Sequence, residues 1–408
     1  MRFWLIIASF PILDIAWWIW ANRKLGALPN PKPWRRLLAL FVLFQFLGLT
    51  GLFVTRATGI HAPYPVTLLA ALYLWHLIVL PITVLLTLLA ELLIGSVNLA
   101  KWTLRRPSSV GFSSADAASD LNPEPRTLNP LTRRQFLAAS AVVAPPLLTG
   151  AAVTTSLLNI QHFRHRDLTL KIPNLPPALD GLTIAHVSDI HIGRFTPISK
   201  LESVVQETNA RKPDLVLLTG DLIDFALRDL PRAIDMVKQF TPRLGLAMCE
   251  GNHDLIENRF VFEQDVKQSG VPLLLNESKI IDVNGHPLQL LGIRWGGRSG
   301  FESATTSHVA NTLRLRNKEA FPILLAHHPH AFDPAAEADI PLTLAGHTHG
   351  GQLMLTPNIG PGPLMYKYWS GLYQQKQSQL VVSNGVGNWF PLRLNAPAEI
   401  LHLTLRPA

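Results

Sequence analysis

Five short segments in the second half of the chain gather histidines, carboxylates and one amide in a pattern suited to holding metal ions. They are Asp189-Ile190-His191, Gly220-Asp221-Leu222-Ile223-Asp224, Gly251-Asn252-His253-Asp254, His327-His328-Pro329 and Gly346-His347-Thr348-His349-Gly350. Each directly follows an apolar, β-rich run: Leu182–Val187, Leu215–Thr219, Leu244–Met248, Ile323–Ala326 and Leu342–Ala345. Ligands at the carboxyl ends of several strands converge on one sheet edge, where open α/β folds bind their ligands. A carboxylate shared between two cations, with imidazoles and an amide filling the remaining positions, suits borderline ions such as Mn, Fe or Zn. In Asp-x-His and His-x-His, an extended backbone points alternate side chains the same way. Gly220, Gly251, Gly346 and Gly350 let the backbone turn tightly beneath the cluster.

The elements that must position these residues alternate strand and helix. Helices are expected near Ile198–Ala210, Pro231–Phe240 and Glu257–Gln268, between the first runs, which is βαβ organisation with parallel strands. From Val271 the pattern shifts to short strands and turns, with Val283-Asn284-Gly285-His286 reading as a hairpin. Gln379–Ser383 and Glu399–Thr404 read as antiparallel strands. Two mixed sheets packed face to face, with helices outside, accommodate all of this.

In this order, DxH, GDxxD, GNHD, a lone His and GHxH resemble the calcineurin-like metallophosphoesterases, over roughly residues 168–405. Gly346–Leu353, Tyr368–Tyr373 and Val381–Ile400 are similar to the bacterial YkuE/YaeI-type phosphodiesterase branch. The membrane-bearing front end is similar to vertebrate transmembrane metallophosphoesterase-domain proteins. The resemblance implies a four-layer α/β/β/α sandwich preceded by an α-helical transmembrane region. It implies that Asp189, His191 and His349 hold one metal, that Asn252, His327 and His347 hold the other, and that Asp221 bridges them. Two cations about 3.5–4 Å apart polarise a phosphoryl group, lower the pKa of a bridging water and hold nucleophile and leaving group in line. His253 is implied as the catalytic residue that protonates the leaving oxygen or stabilises transition-state charge, with Asp254 a candidate to orient its ring.

Other histidines carry less. His328 is expected to point away from the metals, His330 to line the cleft rim and His186 to lie in the core, while His61 and His76 have no metal-binding companions. The loop Arg294–Ser299 and residues Asn388, Trp389 and Arg393 are candidates to touch substrate, arginine being suited to phosphate. Cys249 is the single cysteine, so no intramolecular disulfide forms, and its setting after an apolar strand reads as a buried small residue.

Composition separates two regions. The 408 residues are 48% hydrophobic with net charge +8. Residues 1–166 hold 15 Lys/Arg against 5 Asp/Glu, while residues 167–408 hold 21 against 23. The basic excess is therefore not on the soluble part, as a nucleic-acid footprint would require. Phe3–Trp20, Leu37–Thr55, Val66–Ile94 and Phe136–Leu158 are each of spanning length, with Pro81 and Pro145-Pro146 as expected kinks. Basic residues number five in the first connection, one in the second and six in the third. By the positive-inside rule the first and third connections are cytoplasmic, and the N-terminus and the metal-binding domain lie outside. Residues 107–130 read as a disordered linker between a three-span region, 1–106, and a fourth segment, 131–160. That segment begins Leu131-Thr132-Arg133-Arg134, which reads either as a twin-arginine export signal or as positive-inside anchors. Both readings put residues 161–408 outside the cytoplasmic membrane.

The expected function is a membrane-anchored, dinuclear-metal phosphohydrolase, a phosphodiesterase, acting on a phosphoester substrate. The alternatives are hydrolysis of lipid-linked pyrophosphate or phospholipid headgroups, and a non-catalytic sensor or scaffold of the same fold.

Overall fold

Long apolar runs must form helices where water is absent, since only a helix satisfies its own backbone there. The computed structural model describes residues 2–58, 64–104, 132–296, 301–356 and 358–408, so the expected linker 107–130 and His61 lie outside the described residues. The chain forms two units, Met1–Val153 and Thr154–Ala408.

The first unit contains helices α1 (Arg2–Leu25), α2 (Pro31–Ala57), α3 (Val66–Leu74), α4 (Leu80–Leu104) and most of α5 (Arg133–Leu158). Among the described residues, Pro31–Thr55, Val66–Thr103 and Arg133–Leu158 are long and apolar enough to cross a membrane. The first expected span falls in α1, whose side chains are described only from Ser9 onward. Leu37, Leu40 and Leu47 on α2 and Leu85, Leu89 and Leu93 on α4 face outward, a surface that lipid tolerates and water does not. A π-helical turn, Trp75–Val79, joins α3 to α4 just before Pro81. Proline lacks an N–H and crowds the carbonyl four residues back, and a widened turn relieves both defects.

Inside this unit Trp17, Phe41 and Trp75 pack edge to face. Beside them lies a buried carboxylate, Asp14. One of its oxygens accepts Trp75 Nε1–H at 2.9 Å and the other meets His76 Nε2 at 2.9 Å. His76 Nδ1 lies 2.9 Å from the Leu72 carbonyl, so that nitrogen donates. His76 thus pairs with a carboxylate on a helix far away along the chain, and among the described residues it belongs to no group that could hold a metal.

The second unit holds two mixed sheets. The first has strand order β1-β11-β2-β3-β4, from β1 (Arg164–Ile172), β2 (Thr183–Val187), β3 (Leu215–Thr219), β4 (Gly245–Cys249) and β11 (Glu399–Pro407). The second has order β5-β6-β7-β8-β10-β9, from β5 (Glu277–Val283), β6 (His286–Gly292), β7 (Phe321–Leu325), β8 (Leu342–Ala345), β9 (Gly371–Gln375) and β10 (Ser378–Val382). The β2-β3-β4 pairs are parallel, as the βαβ pattern requires. The two C-terminal strands are only half antiparallel: β10 runs parallel to β8 and antiparallel to β9, and β11 parallel to β1 and antiparallel to β2.

Alternation along each strand builds the layers. Ile184, Leu215, Leu217 and Ala247 pack against Leu288, Leu290, Ile323, Leu342 and Leu344 of the facing sheet. Their neighbours Ala185, Val216, Leu218 and Met248 face α6 (Ile198–Ala210), α7 (Leu230–Lys238) and α8 (Arg259–Gln268). Leu291 and Leu324 face α9 (Phe301–Leu313) and α10 (Phe332–Glu337). The result is helix, sheet, sheet, helix.

Asp14→Leu should destabilise the first unit by about 1–3 kcal/mol, because two buried groups lose their shared acceptor. Thermal unfolding of the detergent-solubilised chain, followed by tryptophan fluorescence, measures this. An unchanged transition would contradict a structural role for the pair.

Candidate active site

The ends of five strands turn toward one another at the carboxyl edge of both sheets. Asp189 and His191 follow β2, Asp221 follows β3, Asn252 and His253 follow β4, His327 follows β7, and His347 and His349 follow β8. The backbone there is not extended. Asp189, His191, Asp221, His347 and His349 all have φ between 47° and 72°. The left-handed region is costly for most residues, less so for Asp and His. The sequence expectation of simple strand alternation is therefore wrong in mechanism: the left-handed kinks, not a two-residue period, aim both members of each pair inward.

Of the four glycines, Gly220 and Gly350 adopt positive φ. Gly251 and Gly346 serve close approach instead. A Cβ on Gly251 would lie 2.2 Å from Asp221 Oδ1, and one on Gly346 would lie 1.9 Å from Ser188 Oγ. The second contact brings the loop after β8 against the loop after β2, joining the edges of the two sheets.

Among the described residues, three groups of side chains offer donor atoms within 4.8 Å of one another: Asp189 with His191 and His349, His191 with Asp221 and His253, and Asp221 with His327 and His347. His191 Nε2 lies 3.0 Å from His349 Nε2 and 3.6 Å from Asp221 Oδ2, and His349 Nε2 lies 3.4 Å from Asp189 Oδ1. On the other side, His327 Nε2 lies 3.1 Å from Asp221 Oδ2, 3.1 Å from His347 Nδ1 and 3.2 Å from Asn252 Oδ1. A metal–nitrogen bond of about 2.1 Å sets neighbouring ligand atoms about 3.0–3.4 Å apart, so these spacings fit a cation on each side of Asp221.

The electrostatics fit as well. Burial, with the positive charges of neighbouring groups, holds His191, His347 and His349 well below the usual imidazole range, so their rings are neutral. Burial also opposes charge on His327, but Asp221 beside it prevails and raises it to about 9. Burial, partly opposed by His327, raises Asp189 to about 6. His327 Nδ1 is tied to the Thr219 carbonyl at 2.7 Å, which fixes the ring's orientation.

His253 is half-buried at the mouth. Its Nδ1 lies 2.6 Å from the Asp224 carbonyl and 3.4 Å from the Asp224 carboxylate, and its backbone N–H donates to Asp221 Oδ1 at 2.8 Å. Burial disfavours its charge, but the Asp224 side chain and Asp221 outweigh this and raise the ring to about 9. Asp224, not Asp254, is therefore the residue beside the imidazole. Asp254 instead accepts the backbone N–H groups of Leu222, Ile223 and Gly251, clamping two site loops together.

The remaining candidates sort by contact. His328 packs against His347 and His330, its Nδ1 accepts the His330 N–H, and it belongs to none of the three donor groups. His186 is buried mid-strand against Thr219 Oγ1. Cys249 is buried, and burial pushes its thiol well above the usual range. Arg294 is held by both oxygens of Glu263, and residues 297–299 of its loop lie outside the described residues. Arg393 is spent inside the protein too. Its guanidinium donates to Asn388 Oδ1, to the carbonyls of Asn384, Ala396 and Gly387, and to His349 Nδ1 at 2.8 Å. Arginine only donates, so His349 Nδ1 accepts from it and Nε2 is the atom turned toward His191 and Asp189. The expectation that Arg294 and Arg393 touch substrate is corrected by these pairings. Aromatic rings line the cleft instead: Trp295 and Tyr366 near His347, and the exposed Trp389 near His253 and His349. Trp389 was singled out in the sequence by name and Trp295 as part of the loop Arg294–Ser299, whereas Tyr366 was not, since a lone aromatic in a loop carries no pattern.

Asp254→Ala should cost about 2–5 kcal/mol of stability, since three buried N–H groups lose their acceptor. Chemical denaturation of the two proteins compares them. A loss of turnover with no loss of stability would return Asp254 to the imidazole.

A family model for calcineurin-like phosphoesterases matches residues 182–351. The chain is 32% identical over 261 residues to a transmembrane protein with metallophosphoesterase domain from Danio rerio, covering 59% of this chain and 57% of that relative. It is 29% identical to the uncharacterized metallophosphoesterase YkuE of Bacillus subtilis, covering 68% of this chain and 98% of that protein. It is 28% identical to the phosphodiesterase YaeI of Escherichia coli, covering 67% and 99%. The chain thus spans little more than half of the Danio rerio relative and nearly all of the two bacterial ones. Strand-end histidines and carboxylates, two mixed sheets and these matches agree: the chain carries a calcineurin-like metallophosphoesterase domain.

Proposed function

We propose that this domain is a dinuclear-metal phosphodiesterase. Asp189, His191 and His349 would hold one divalent cation, Asn252, His327 and His347 the other, and Asp221 both. The observation that carries the reading is Asp221 standing within 3.1–3.6 Å of a histidine Nε2 on each side. The naming of the Escherichia coli relative as a phosphodiesterase favours diesters. When bound, the cations would polarise the phosphoryl group and make a water acidic enough to serve as nucleophile near neutral pH. Every other contribution belongs to the chain. Asp221, through its Oδ1 contact with the His253 N–H, ties the metal loop to the residue that acts on the leaving group. Asp224 engages Nδ1 of His253, so Nε2 is the atom left to donate a proton to the departing oxygen. Trp295, Tyr366 and Trp389 narrow the cleft and exclude water around the ester.

Asp221→Ala is expected to empty both positions and abolish hydrolysis, read by elemental analysis beside an assay with bis(nitrophenyl) phosphate. Two metals still bound with activity retained would overturn the assignment. His253→Ala is expected to keep both metals and lose about 10²–10⁴-fold in turnover. The loss should be smaller for nitrophenyl esters, whose leaving groups need less protonation. Loss of metal in that variant would make His253 a ligand.

We also propose that the domain lies outside the cytoplasmic membrane, from the five, one and six basic residues in the successive connections. Reporter fusions after Asn30 should behave as cytoplasmic and those after Gln161 as exported. A cytoplasmic signal at Gln161 would move the domain inside.

A further inference from the structure

The last turn of the membrane-length helix α5, Thr154–Leu158, belongs to the phosphoesterase unit and is built into it. Ser156 is buried. Its hydroxyl accepts the Arg393 backbone N–H at 2.7 Å and donates to the Pro391 carbonyl at 3.4 Å. The connection to β1 is pinned as well: Lys200 Nζ donates to the carbonyls of Ile160 and His162, and Ser199 bonds Gln161. Because the Arg393 guanidinium holds His349, a single residue separates the end of α5 from a proposed metal ligand.

The loop after His349 lies along the same edge. Met354 N–H donates to the Leu394 carbonyl, and Asn395 Nδ2 to the carbonyls of Met354 and Leu355. Anchored this way, it turns four large apolar side chains outward: Leu355 at 78% exposure, Ile359 at 58%, Leu364 at 86% and Met365 at 68%. Tyr366 follows directly and packs near His347, and the exposed Trp389 lies near His253 and His349. Single exposed apolar residues are ordinary, but several around one cleft mark an interaction surface. Leu158, the last residue of α5, is itself 71% exposed.

We infer that this rim docks on a lipid bilayer, the one that α5 enters, and that the substrate is an amphiphilic phosphoester presented at that bilayer's surface. The inference rests on the proposed phosphoesterase function for its substrate half alone. The last turn of α5, which belongs to this unit, bonds Arg393, so a bilayer surface at the end of that helix is within reach of the loop tips. Insertion of Leu355, Leu364 and Met365 among acyl chains would bury the apolar area that water now touches.

The test uses the full chain reconstituted in vesicles of phosphatidylethanolamine and phosphatidylglycerol. Leu364→Cys carries a polarity-sensitive fluorophore, with native Cys249 buried and unreactive. A control label goes at Gln377→Cys, before β10, which runs parallel to β8 and so begins at the end opposite the site. Nitroxides high on the acyl chains should quench the label at position 364 and spare the one at 377. Equal, weak quenching at both would overturn docking, and would be the outcome if the rim served a protein partner. A second arm compares Leu355→Ser with Leu364→Ser combined against the unaltered chain. Hydrolysis of a vesicle-embedded phosphodiester should fall at least about tenfold, with soluble bis(nitrophenyl) phosphate hydrolysis unchanged. An unaffected vesicle rate overturns the substrate half. An unaltered chain that cleaves neither ester refutes the phosphoesterase reading, while the quenching still decides docking.

Discussion

Asp221 is a buried carboxylate with an imidazole Nε2 on each side, and much of the surrounding architecture keeps it there. Burial alone would push its pKa up, but His327 and the other positive groups around it outweigh that and hold it below the usual range. An unpaired buried charge is expensive, so its neighbours are fixed in turn. Gly251 leaves room for its carboxylate, Thr219 orients His327, and Asp254 ties the loops on both sides. Left-handed backbone at five site residues is the conformational cost, and it is spread over Asp and His, the types that bear it best.

Much of this was legible in the sequence, because strand periodicity and strand-end chemistry are local. The predicted limits of β3, β8 and α6 coincide with those observed, and the Asn284-Gly285 turn joins β5 to β6. The five segments meet as their order suggested. What was not legible depends on long-range partners. β1 was missed because its partner β11 lies more than two hundred residues away and inserts between β1 and β2. Asp254 and Asp224 are each near His253 in sequence or space, and only the fold tells which one touches the ring. Arg294 and Arg393 looked free to bind phosphate until Glu263 and a set of carbonyls were seen to hold them. Asp14 and His76 gave no signal at all, since neither lies in a polar pattern.

The two units use polar groups in different ways. In the helical unit Asp14 serves as a single shared acceptor that ties α1 to the π-turn. In the sandwich, polar groups cluster where both sheets run out of hydrogen-bonding partners. The apolar layers behind them, Leu217 and Leu344 among others, fix the distance between the sheets and hence the width of the cleft.

Crystals of the full chain or of the isolated sandwich grown with Mn, measured at the metal's absorption edge, test the central claim most directly. The account predicts two anomalous peaks about 3.5–4 Å apart, one on each side of Asp221. A single peak away from Asp221, or two peaks that do not share it, would contradict the account.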